Sequence, residues 1–358
     1  MQIKQNTQKL KLGIVGYGYW SPKVINGFLK TDGGEVFAIC EKDKAKWDSI
    51  KEHVPNIVIY QNYEQLVQDP NIDAIVITTT VSSHYRIAKA ALLAGKHVLV
   101  EKPMTEEVWQ SDKLIAIAKK KDRTLMVDHT FLFMPAIRAL KGVIDSGELG
   151  KVHTVLGNRS NLGLFQKDVD VVTDLAPHDF SILYYFFNEE PYKVIATGNA
   201  PVKHVLHKKK YNAVSSTTLL YMSGLYVHFI HSWLAPIKDR RMIFVGDKKM
   251  AVFDMLDQTG VLKIYDTCVN VLQDANPYGA WFSYTQGEHR VVDVPKLEGD
   301  DIQRMAQEFI DSIREHRQPI TDGYLGRIVV NNLAQVKHDN IFKKVWAFIT
   351  NIFYSFIN

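Results

Sequence analysis

The chain has 358 residues, with 43 Lys+Arg against 39 Asp+Glu for a formal net charge of +4, and 46% of its residues are apolar. At roughly 100–200 residues per domain this length points to two domains whose cores need no disulfide or metal staple, and two cysteines, Cys40 and Cys268, exclude a disulfide framework and fit a reducing compartment. So small a charge excludes nucleic acid as a partner, and the polar, lysine-bearing start MQIKQNTQKLKLG carries no sign of a secretory leader, so cytoplasmic residence is expected.

Along the first 130 residues short β-branched runs alternate with longer amphipathic stretches. Strands are expected at Leu12–Val15, Val36–Cys40, Ile57–Tyr60, Ala74–Thr78, Val98–Val100 and Thr124–Val127, with helices most evident at Ser83–Ala94 and Thr105–Lys121. Strands apolar on both faces and alternating with helices form a parallel sheet covered on each side, which right-handed crossovers make doubly wound. After a helix at Pro135–Ser146 the rhythm changes. Strand-like runs at Val152–Leu156, Lys193–Thr197, Ser216–Met222, Tyr226–Ser232, Met242–Val245, Met250–Phe253 and Val261–Tyr265 indicate a mostly antiparallel sheet, with helices at Phe180–Phe187, Ile302–His316 and Tyr324–Lys337. The class is therefore α/β, with a doubly wound cofactor domain over 1–129, an α+β domain over 130–340 and a separate tail over 341–358.

Gly16-x-Gly18-x-x-Ser21 directly follows the first strand and opens a helix. Gly16 permits a tight turn, Gly18 lets backbone approach a pyrophosphate at the helix N-terminus, and Ser21 is a small replacement for the usual third Gly or Ala. At the end of the second strand, Glu41 suits a ribose diol and repels a 2′-phosphate, which favours NAD; Lys42 beside it leaves NADP as the lesser choice. Glu101-Lys102-Pro103 ends the fifth strand, at the sheet edge where ligand chemistry gathers. Farther on, Pro177 is tolerated only in a first helical turn, which puts His178 near a helix start. Asp174, four residues earlier, would lie beside His178 and orient its imidazole. Asp179 reads as an ordinary helix-start acid.

These segments together resemble the family of glucose–fructose oxidoreductase, inositol dehydrogenase and MocA-like dehydrogenases over residues 10 to 335. The matching elements are Gly-Tyr-Gly-Tyr-Trp at 16–20, Ser83-His84 followed by Ala-Leu-Leu-Ala-Gly-Lys-His-Val-Leu-Val-Glu-Lys-Pro, and Asp174-x-x-x-His178. The resemblance implies a Rossmann first domain and an open antiparallel sheet carrying the substrate site and oligomer contacts in the second. It makes Lys102, Asp174 and His178 catalytic, and gives Gly16, Tyr17, Gly18, Tyr19, Trp20, Glu41, Thr79, His84, Glu101 and Lys102 to the cofactor. Thr130, Phe131, Asn161 and Lys167 fall in segments expected to border the substrate. Val127–Pro135 and His231–Met250 are similar to a branch associated with nucleotide sugars, including UDP-N-acetylglucosamine 3-dehydrogenases. An inositol or free-sugar dehydrogenase is the alternative within enzymes, and a non-catalytic dinucleotide-binding sensor the alternative outside them.

Hydride transfer from a carbinol needs a base for the hydroxyl proton and a donor for the oxygen, roles that suit His178 and Lys102. The histidines include no metal-helix pair of the His-Glu-x-x-His kind, so no metal is expected. The basic run Lys203–Lys210 reads as a solvated loop or an attractor of diphosphate. In Ile341–Asn358, twelve of eighteen residues are apolar and six aromatic, a composition suited to docking on the body or a subunit, or to a peripheral membrane or partner contact.

Overall fold

The structure, a computed structural model, describes residues 9–163, 165, 169–200, 212–271 and 282–336. The basic run 203–210, Lys167 and the tail 341–358 lie outside the described residues. The chain divides into two units: Met1–Met134 with Glu298–Asn331, and Pro135–Leu297 with Asn332–Asn358. The stretch expected to form one domain from 130 to 340 is thus interrupted, because residues 298–331 pack with the first unit. Their amphipathic helix carries no mark in sequence of which core it joins.

The first unit runs β1 (Leu10–Val15), α1 (Ser21–Leu29), β2 (Gly34–Cys40), α2 (Trp47–His53), β3 (Val58–Tyr60), α3 (Tyr63–Gln68), β4 (Ala74–Ile77), α4 (Val81–Leu93), β5 (His97–Glu101), α5 (Val108–Lys121) and β6 (Leu125–Asp128). The six strands pair in parallel in the order β3-β2-β1-β4-β5-β6. The order reverses between β1 and β4, and such a switch point opens a crevice at the carboxyl ends of the strands. Every residue of β4 is buried, as are Leu12, Ile14 and Val15 of β1 and Val98, Leu99 and Val100 of β5, the signature of strands covered on both faces.

Late in the chain, α8 (Asp301–Arg314) returns to this unit and lies on α1. Phe28 and Phe309 meet edge to face at 6.3 Å. Gly27 makes that approach possible, since a Cβ there would stand 2.8 Å from Ile302 Cγ2 and 3.1 Å from its carbonyl oxygen. Thr321 then hydrogen-bonds β6, taking the Val127 N–H at 2.8 Å and donating its hydroxyl to the Val127 carbonyl at 2.7 Å.

The second unit begins with α6 (Pro135–Asp145), β7 (Val152–Leu162), α7 (Val171–Phe187), β8 (Lys193–Asn199) and β9 (Val214–Leu220). It continues through β10 (Tyr226–Ser232), β11 (Leu234–Gly246), β12 (Met250–Asp254), β13 (Leu262–Val271) and β14 (Phe282–Val291). Its eight strands follow the order β14-β13-β12-β11-β7-β10-β9-β8, all antiparallel except the β10–β7 pair. The last strand escaped the sequence reading, because Ser-Tyr-Thr-Gln-Gly-Glu-His-Arg has neither alternation nor apolar content.

One helix boundary is corrected. Helix α7 begins at Val171, nine residues before the expected run, with the Asp170 carboxylate accepting the Thr173 N–H at 2.9 Å as its cap. Pro177 therefore sits inside the helix, where it withholds the hydrogen bond that the Thr173 carbonyl would otherwise receive. The helix continues through it, its buried residues, including Leu175, Ala176, Phe180 and Leu183, holding it down on both sides of the proline. Farther along, Phe186 meets Phe244 of β11 edge to face at 5.6 Å.

Candidate active site

At the switch point of the first unit, Gly16 has φ +99° and carries no room for a side chain: a Cβ would stand 2.9 Å from Thr79 Cγ2 and 3.2 Å from the Thr78 carbonyl oxygen. Around Gly18 the space is open. Ser21, fully buried, spends its hydroxyl on the Gly16 carbonyl at 2.8 Å and receives the Thr78 hydroxyl at 3.1 Å. The departure from a third glycine is thus a brace across the turn. Helix α1 starts here with no side-chain cap and no acid in its first turn, so its N-terminal dipole is left for an anion. Tyr19 is 81% exposed at the lip, and Lys23 lies 4.6 Å from the Trp20 ring centre.

Glu41 is only 7% exposed, not a solvated strand-end acid. Its Oε2 accepts the Tyr17 N–H at 2.9 Å and its Oε1 the Asp43 N–H at 2.9 Å, with Lys46 Nζ at 3.5 Å. The carboxylate is therefore fixed against the glycine turn. Behind it, burial and the neighbouring Glu41 push the Cys40 thiol up to about 12, which leaves it an inert core residue.

Thr79 receives the Ser83 hydroxyl at 2.7 Å. His84, expected among cofactor contacts, is instead buried, its ring nitrogens 3.0 Å from the Thr79 and Pro103 carbonyl oxygens. A neutral imidazole donates to one of them at a time, and burial lowers its affinity for a second proton. The ring ties the loop after β4 to the one after β5, so it acts on the site through their backbones.

At the carboxyl ends of β5 and β6 the parallel register sets Glu101 beside Asp128. Glu101 Oε1 and Asp128 Oδ2 are both buried and lack a donor among the described residues, so two ionised carboxylates would face one another. Burial, then the Asp128 charge and hydrogen bond, raise the Glu101 carboxyl well above its usual range, so Glu101 keeps a proton that an exposed carboxyl would have lost. Thr130 donates its hydroxyl to Asp128 Oδ1 and so is committed inward; Phe131 lies next to it in a short 3₁₀ turn. His129, buried, is lowered to about 3 by burial and by the Lys102 charge. Sequence reasoning held Asp128 and His129 only as part of the family-like segment Val127–Pro135 and gave neither a place in the site; the polar pair closing an apolar strand was the available signal.

In the second unit Asp174 and His178 lie one turn apart on α7, and the Asp174 Oδ2 accepts the Trp233 indole N–H at 3.2 Å. Asp179 is not the exposed helix-start acid that the sequence suggested. It is buried, receives Arg159 Nε at 2.9 and 3.0 Å and Nη2 at 2.6 Å, and receives His231 Nε2 at 2.9 Å. Burial alone would raise this carboxyl, but Arg159 and His231 hold it down to about 2. The network fastens the helix carrying His178 to β7 and β10. Asn161 accepts a hydrogen bond from Arg240 Nη2.

Residues 10–129 match the family described as the oxidoreductase family with an NAD-binding Rossmann fold, and residues 137–252 match the GFO/IDH/MocA C-terminal domain. The chain belongs to this family of oxidoreductases. Among its relatives, the UDP-N-acetylglucosamine 3-dehydrogenase of Acidithiobacillus ferrooxidans is 28% identical over 269 residues, 74% of this chain and 78% of that protein. The myo-inositol 2-dehydrogenase of Thermotoga maritima is 23% identical over 280 residues, 77% of this chain and 82% of that protein. Uncharacterized oxidoreductase YdgJ of Escherichia coli is 37% identical, but over a match spanning 41% of this chain and 42% of its own length. The solved structure of the Acidithiobacillus enzyme superposes with TM-score 0.74 at 22% identity, over 92% of this chain and 97% of that one, a likeness of fold.

Proposed function

We propose that the chain is an NAD-dependent dehydrogenase that transfers hydride between nicotinamide and a secondary hydroxyl of a sugar, with a nucleotide sugar such as UDP-N-acetylglucosamine as substrate. The observation that carries the cofactor choice is the buried Glu41 carboxylate fixed against the Gly16–Gly18 turn; its charge suits a ribose diol and opposes a 2′-phosphate. The open space at Gly18 and the uncapped α1 fit a pyrophosphate. Bound NAD would supply the hydride acceptor. For the chain's own residues, His178 takes the hydroxyl proton, Asp174, steadied by Trp233, orients the imidazole, and Lys102 donates a hydrogen bond to the oxygen as negative charge develops on it. The 28% identity to the UDP-N-acetylglucosamine enzyme supports a nucleotide sugar. The inositol relative supports a free polyol as the second reading.

The test is a panel of nucleotide sugars and free polyols with NAD or NADP, followed by nicotinamide absorbance and product mass. Lys102→Ala and His178→Ala are each expected to lower turnover by about 10²–10⁴-fold, the His178 variant with NAD binding retained. Folded variants with full turnover on the substrate found would sink the assignment.

A further inference from the structure

Among the described residues, the guanidinium of one arginine in the second unit is met by uncharged oxygens alone. Arg240, half-buried on β11, donates from Nη1 to the Ser160 carbonyl at 3.0 Å and to the Asp239 carbonyl at 3.0 Å, and from Nη2 to the Asn161 side-chain oxygen. A guanidinium has five N–H donors, so Nε–H and one N–H of Nη2 stay without an acceptor among the described residues. No carboxylate among them comes within ion-pair distance. The contrast with Arg159 is instructive. That guanidinium, also carried by this sheet, has its charge answered by the fork on Asp179. Burial, then the Arg159 charge, lower Arg240 to about 10 even with Asp179, Asp174 and Asp239 nearby. A half-buried guanidinium held rigidly by three neutral acceptors, with two donors left over, is arranged to receive an oxyanion. Its acceptor Asn161 belongs to a segment expected to border the substrate, and its electrostatic neighbour Asp174 belongs to the proposed acid–base pair.

We propose that Arg240 is a substrate-binding residue that grips an oxyanion of the substrate away from the reacting hydroxyl, the diphosphate of a nucleotide-linked sugar. This rests on the nucleotide-sugar reading. A sugar carboxylate would offer the same chemistry, so the experiment separates the two. Full-length protein saturated with NAD is titrated calorimetrically with UDP and, separately, with glucuronate, for the wild type, Arg240→Gln and Arg240→Lys. Arg240→Gln keeps a donor amide for the neutral contacts while removing the charge.

The expected result is that Arg240→Gln weakens UDP by about ten- to hundredfold, the range for a lost hydrogen bond to a charged group. NAD affinity should stay unchanged and Arg240→Lys should recover part of the loss. With UDP-N-acetylglucosamine, KM should rise by that factor and kcat change little, whereas a variant damaged only in its fold would lose kcat and NAD binding together. Glucuronate weakened in place of UDP keeps the oxyanion role and overturns the diphosphate. A folded Arg240→Gln that binds both anions as the wild type does overturns the role of Arg240 and leaves the nucleotide-sugar reading intact. Wild-type protein that binds no UDP overturns that reading instead.

Discussion

Asp179 follows His178 in sequence, and its carboxylate is buried against Arg159 and His231. The Asp179 carboxylate meets the Arg159 fork in a buried ion pair, so Asp179→Asn removes one charge of that pair. Urea unfolding should register a loss of about 3–5 kcal/mol, the usual size for breaking one side of a buried pair. Replacing Arg159 and Asp179 together by apolar residues should cost far less; an equal cost for single and double changes would refute the charge argument. Because the folded carboxyl is held down to about 2, its contribution is present above the unfolded value near 4 and is lost as pH falls through about 2. The adjacent His178 was legible in sequence because the Asp-x-x-x-His spacing is local. The role of Asp179 was not, since its partners stand 20 and 52 residues away and no single-segment pattern carries that pairing.

The strands of the first unit were legible because each is apolar on both faces and is bounded by helical periodicity. The long β7 and β11 read as much shorter runs, since their outer halves are polar or charged, as in Asn-Arg-Ser-Asn of β7 and Lys-Asp-Arg-Arg of β11. Sheet alternation still applies there. On β10, Val227, Phe229 and His231 are buried while Tyr226 and Ile230 are 43% and 42% exposed, and Leu156 of β7, opposite His228, is 42% exposed. These three share one sheet face, which we propose packs against a second copy of the chain in a homo-oligomer. Light scattering should give a mass above 40.9 kDa for the wild type and a lower mass for Ile230→Lys. A wild type that scatters as a monomer would refute the oligomer.

For the molecule as a whole, the first unit carries an acid liability. Burial, then Arg123, lower His97 to about 4, burial and Lys102 lower His129 to about 3, and burial lowers His84. Each imidazole stays neutral when folded and takes a proton when unfolded. From about pH 6.5 downward the unfolded state therefore binds more protons and stability falls with pH. Glu101 works in the opposite sense: its folded carboxyl keeps a proton that the unfolded one has lost above about pH 4.3. Asp301 and Asp322, also raised by burial, act with Glu101, but the unfolded rings take up their protons at about pH 6.5, above the usual carboxylate range, and set the slope between pH 7 and pH 5. Tm should drop between pH 7 and pH 5, and His97→Gln, whose amide oxygen can still accept the Thr124 N–H that His97 Nδ1 takes at 3.0 Å, should flatten the drop. A Tm unchanged over that range would contradict the burial of these rings.

The return of α8 to α1 also fixes an order of events during synthesis. The ribosome releases α1, with Gly27 and Phe28 facing the place of Ile302 and Phe309, more than 270 residues before those partners exist. The whole sheet of the second unit emerges in the interval. The first unit, though it opens the chain, thus waits for residues 298–331, which follow the whole sheet of the second, and a nascent chain stalled before Glu298 would hold its glycine turn on a helix whose outer face is still bare.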